Sequence, residues 1–207
     1  MSNKQYLEDL SEIKNLMKRS SRFLSLSGLS GIMAGIYALI GAFLAYKLLL
    51  NKTVYIRMQS AENAELVLKL IAIAVTVALL AIITAYILTR KKAIANKQAL
   101  WDQTTKQMLI HFLIPLVTGG IFGLILLNHE HYGILAPISL IFYGLALVNT
   151  SKFTLDTVKY LGISEIIVGL LSAIYVGYGL LFWAIGFGIL HIIYGGIMYL
   201  KEEKGKG

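Results

Sequence analysis

The uncharged stretches of this chain limit what it can fold into. Phe23–Tyr46 and Leu70–Thr89 contain no Asp, Glu, Lys or Arg, and neither does Ile166–Leu200. A helix needs about 20 consecutive apolar residues to cross the hydrocarbon core of a bilayer. Only helices and closed barrels satisfy every backbone polar group there, and blocks of this length are helical signals. The composition agrees: 57% of residues are hydrophobic and 14% are charged, against about 25% charged in soluble domains. The mean hydropathy is +0.71. The expected fold class is an all-α integral membrane protein.

Six spans are expected, near 23–46, 66–89, 108–127, 134–149, 163–179 and 183–200. The last two share one apolar stretch too long for a single crossing. A tight turn is expected around Tyr178–Phe182, supported by Gly177, Gly179 and an interfacial Trp183. The spans form one transmembrane domain, 23–200, followed by a basic tail, 201–207.

The net charge of +8 lies at the ends of the apolar blocks. In that position Lys and Arg set topology and meet anionic lipid headgroups, so a nucleic-acid partner is not expected. The N-terminal segment, the second and fourth connections and the C-terminus together hold fifteen Lys and Arg, against four in the alternate loops. The positive-inside rule then places both termini in the cytoplasm, in the cell (inner) membrane. The first apolar block is long and lacks a cleavage motif, which argues against a signal peptide.

Residues 1–22 read as a cytoplasmic amphipathic helix. Tyr6, Leu10, Ile13 and Met17 recur at helical spacing, with acids in the first half and bases in the second, as the helix dipole favours. Such a helix lies on the membrane, docks under the bundle, or binds a cytoplasmic partner. The segment 90–107, basic and free of Pro and Gly, reads as a helix of its own or a helical extension of the second span.

Parts of the spans can be laid over one another. GIMAGIYALIG (31–41) aligns with GLLSAIYVGYG (169–179), GGIFGLIL (119–126) fits the same frame, and IFYGLAL (141–147) aligns with IIYGGIM (192–198). Three tandem in-out-in hairpins of common origin would give this pattern. Small residues also form stripes: Ser27, Gly31, Ala34, Gly35, Ala38, Ala42 and Ala45 in the first span, Ala74, Ala78, Ala81 and Ala85 in the second. Lipid solvates apolar side chains as well as a neighbouring helix does, so helices associate where small residues let backbones approach. These stripes are expected to face protein, within the bundle or in a homo-oligomer.

Three titratable residues fall inside spans: His111, Glu165 and His191. Such groups are costly in lipid and are candidate functional sites. Each shares a helix face with small or polar residues: His191 with Gly188, Tyr194 and Gly195; Glu165 with Gly169, Ser172 and Ala173; His111 with Pro115, Thr118 and Gly119. All three are expected to point inward. At about 1.5 Å per residue, Glu165 and His111 lie about one turn inside the cytoplasmic boundary and His191 roughly 10–15 Å deep. A direct Glu165–His111 hydrogen bond fits these depths. Glu165 and His191 would need a bridge, a water or one of Tyr37, Tyr143, Tyr175 and Tyr194, since a phenol both donates and accepts.

In one reading His191 is neutral and ties the bundle together. In the other, His111, Glu165 and His191 form a polar track for a proton or small ligand. NHEHYG (128–133) reads as exposed loop polarity rather than a metal site, and no metal or cofactor is expected. No HExxH, GxSxG or Walker pattern occurs and there is no cysteine, so neither an enzyme nor a disulfide framework is expected. The first expectation is a non-enzymatic interaction or regulatory membrane protein. The alternative is a small-solute or proton-linked transporter or channel whose polar site includes His191, Glu165, His111, Tyr194, Tyr175 and Tyr37.

Overall fold

The structure, a computed structural model, describes residues 26–50, 62–96 and 100–204. The expected amphipathic helix at 1–22 lies outside them. The described chain is all-helical, with six helices long and apolar enough to span a membrane. They are α1 (Gly28–Leu50), α2 (Glu62–Ala95), α3 (Gln103–Asn128), α4 (Leu135–Thr150), α5 (Asp156–Ile174) and α6. The last is wound in three consecutive pieces, Gly179–Trp183 as α, Ala184–Leu190 as π and His191–Lys204 as α.

Packing order differs from chain order. α6 lies against α1, α4 and α5; α4 and α5 pack closely; α2 rests on α1 and α3 on α4, and α2 hardly meets α3. Only 6% of the apolar windows of α2 and α3 is buried, against 39% in α4. Within one chain the stripe on α2 faces little protein: Ala74 and Ala78 are exposed and Ala81 and Ala85 only half-buried, because among the described residues α2 packs closely on α1 alone. On α1 the stripe does face protein: Gly35, Ala38, Ala42 and Ala45 are buried.

Two helix crossings carry the core, and they share one pattern. A Cβ on Gly35 of α1 would lie 2.7 Å from Ile192 Cγ1 and 3.0 Å from its nitrogen; one on Gly169 of α5 would lie at the same two distances from Ile141. One Cβ on Gly28 would stand 2.6 Å from the Gly195 carbonyl, and one on Gly162 would stand 2.7 Å from that of Gly144. The α1/α6 and α5/α4 pairs thus use glycines seven apart on one helix against Ile and Gly three apart on the other. The expected overlay of IFYGLAL on IIYGGIM has the register these contacts use. The overlay of 31–41 on 169–179 is one turn out, since Gly35, not Gly31, matches Gly169. A third crossing of this kind is not available to α2 and α3: α2 has no glycine, and α3 has none seven apart.

Helix ends explain the remaining offsets. α5 begins at Asp156 and stops at Ile174, capped by Tyr175, so the turn into α6 falls at Tyr175–Tyr178, before the expected position. Gly177 makes that turn with φ of 100°, which a side chain rarely adopts. α3 starts at an N-cap, where the Asp102 side chain accepts a hydrogen bond of 2.7 Å from the Thr105 N–H. That bond holds the Asp102 carboxyl below its usual range, against a smaller desolvation effect. Because the folded value is lowered, the cap contributes above the unfolded value of about 3.9 and is lost as pH falls through the folded value. Asp102→Ala should cost up to about 1 kcal/mol near neutral pH, towards the lower end because the carboxyl is exposed. Denaturation of both proteins in parallel at about pH 7 and about pH 2 checks it: the gap should close in acid.

Candidate functional site

α4, α5 and α6 bring one carboxyl, one imidazole and one phenol together. Glu165 of α5 is fully buried and His191 is 6% exposed. The His191 Nδ1 lies 3.2 Å from Glu165 Oε1 and 3.1 Å from the Gly186 carbonyl. Its Nε2 lies 2.9 Å from the Tyr143 hydroxyl of α4. A carbonyl only accepts, so in the neutral ring Nδ1 carries the hydrogen and Nε2 accepts from Tyr143.

Glycine makes room for the carboxyl. A Cβ on Gly186 would stand 2.5 Å from Glu165 Oε2 and would also strike the Leu140 side chain. Among the described residues neither Glu165 oxygen has an aligned hydrogen-bond donor, and the buried Ser172 hydroxyl, further along α5, has no partner either. Buried oxygens without donors cost stability that a well-packed apolar side chain would not. Aromatic rings enclose the imidazole. Phe187 stacks on His191, Trp183 stands 5.1 Å from Phe187, and Phe112 of α3 meets Tyr143 edge-on.

The expected site is thus regrouped. Glu165 and His191 meet directly, with no bridge. The helix starts seven residues before the expected position 163, so Glu165 lies about 13 Å along it, at the level of His191. His111 is not part of the group: its ring stacks on Phe153 at 4.9 Å and its carbonyl accepts from Asn149. Tyr37 pairs with Thr84 of α2, and Tyr194 with Ser164. Tyr175 is exposed and stacks on Phe182. Of the four candidate tyrosines, only Tyr143 reaches His191. Its YG context in IFYGLAL marks the helix crossing, and nothing local in the sequence separates it from Tyr194. The loop residues His129 and His131 stack on each other.

Comparison with protein families, curated proteins and solved structures finds no match for this chain.

Proposed function

We propose that the chain is a multipass membrane protein of regulatory rather than catalytic kind, in which Glu165, His191 and Tyr143 form a proton-responsive site. The observation that carries this reading is the fully buried Glu165 carboxyl, whose two oxygens lack aligned donors beside an imidazole. Gain or loss of one proton there changes the charge between three helices at once, and changes their preferred packing. Glu165 is fully buried, which favours sensing over passage.

The alternative, a proton-linked or small-solute transporter, uses the same residues. It is supported by the orphaned Glu165 oxygens, since a carboxyl without fixed donors suits a mobile proton.

The finer placement follows the charges: basic ends and both termini in the cytoplasm, at anionic headgroups of the cell membrane. Three tandem hairpins account for the two matching crossings, α4 with α5 and α6 with α1; the third seam, α2 with α3, lacks its glycines. Residues 1–22 remain available for a cytoplasmic partner and the outer small-residue faces for a second copy.

Trp183 offers the test, because the chain has two tryptophans and Trp101 is exposed. In a Trp101→Phe background in lipid nanodiscs, Trp183 emission should show a single transition as the pH is varied. Glu165→Gln should abolish it, and vesicles with a trapped pH dye should show no proton flux. A flat emission profile overturns the reading; flux that Glu165→Gln removes replaces it with transport.

A further inference from the structure

The winding of α6 carries an inference that rests on this proton-responsive reading. Ala184–Leu190 is π-helical between two α-helical pieces. Such stretches are rare, appear mostly as single turns and cluster at functional sites. A π turn holds more residues than the α turn it replaces, so rewinding changes the register between the flanking pieces. The C-terminal piece is held, with Gly195 in backbone contact with Gly28 and Ile32 of α1. The N-terminal piece is held more lightly: Gly179–Trp183 touches α4, α5 and α1 but has no buried residue, and exposed Tyr175–Tyr178 joins it to α5.

One hydrogen links the winding to the carboxyl. His191 Nδ1–H bonds the Gly186 carbonyl inside the π stretch at 3.1 Å, and Glu165 Oε1 stands out of line 3.2 Å from the same nitrogen. A neutral carboxyl competes weakly for it. A carboxylate competes strongly, since charge-assisted hydrogen bonds are about twice as strong as neutral ones.

We propose that loss of the Glu165 proton draws the His191 Nδ1 hydrogen bond from the Gly186 carbonyl to the carboxylate and lets Ala184–Leu190 rewind from π to α, turning Gly179–Trp183 against the rest of the bundle. The proton leaves Glu165 for water and the N–H bond of His191 stays intact. The titratable groups facing this stretch are Glu165 from α5, Tyr143 from α4 and His191 itself; α1 faces it with Gly35 and Leu39, and Tyr194 is engaged with Ser164.

The chain has no cysteine, so two spin labels can be placed on α6 alone, through Leu181→Cys and Ile197→Cys. Leu181 is exposed and Ile197 faces outward beyond the π stretch. Pulsed electron resonance in nanodiscs of zwitterionic and anionic phospholipid should give two distances, with the second growing as the pH is raised. Glu165→Gln should hold the first at every pH, and deletion of Ile185, which leaves the stretch α-wound with one residue fewer and no π turn to rewind, should also give a single distance at every pH. One distance at every pH in the parent overturns the rewinding. If the Trp183 transition persists, the proton-responsive site stands without it; if both are absent, both fall.

Discussion

Replacing Glu165 with methionine should make the folded protein more stable, by about 1–3 kcal/mol, while erasing its response to pH. The side chains have similar length, and a flexible thioether fills the space between Gly186 and Leu140 without asking for donors. The gain comes from removing two buried oxygens that have no aligned partner. The His191 Nδ1 is not orphaned, because the Gly186 carbonyl still accepts from it. Equilibrium unfolding in mixed detergent micelles measures the difference. A loss of stability of similar size would mean that the carboxyl is a structural tie, and the proton-responsive reading would fail. A functional group that costs stability is the common pattern where activity needs a strained or unsatisfied site.

Two adjacent glycines should respond in opposite ways to the same substitution. A Cβ on Gly195 would stand 2.6 Å from the Ile32 nitrogen and 2.8 Å from the Gly28 carbonyl, and both are backbone atoms that cannot swing aside. Gly195→Ala should therefore cost about 2–3 kcal/mol by prising α6 from α1. A Cβ on Gly196 would meet nothing within 4 Å. Gly196→Ala should gain about 0.5–1 kcal/mol, because alanine loses less freedom than glycine in a helix. The unfolding midpoints of the two variants, measured side by side, check this. Equal shifts would show that the α1/α6 crossing is not held by backbone contact.

Much of the architecture is legible in the sequence, because its physics is local. Uncharged blocks such as Phe23–Tyr46 make long apolar helices whatever surrounds them. The pairing of Ile141 with Ile192 and of Gly144 with Gly195 is visible because a close crossing requires glycine at fixed spacing. The α2 stripe is less informative for a related reason. Small residues permit close approach but do not specify the neighbour, and Ala74 and Ala78 meet none among the described residues.

The site was legible by residue and not by contact. A Glu and a His within apolar helices stand out from composition alone, so Glu165 and His191 are identified before any fold is known. Which tyrosine joins them depends on how α4 is rotated against α6, and Tyr143 and Tyr194 share the same local sequence. His111 stands apart because α3 packs chiefly on α4 and the turns at its ends, with its ring against Phe153.

The sequence by itself determined that this chain forms six long apolar helices with a carboxyl and an imidazole among them, since burying charge-free helices is a property of composition and spacing. Only the tertiary structure decided that Glu165 and His191 touch. That contact depends on the early start of α5, on the missing Cβ of Gly186 and on the π winding of α6, which together set the level and rotation of two helices that the sequence specifies separately.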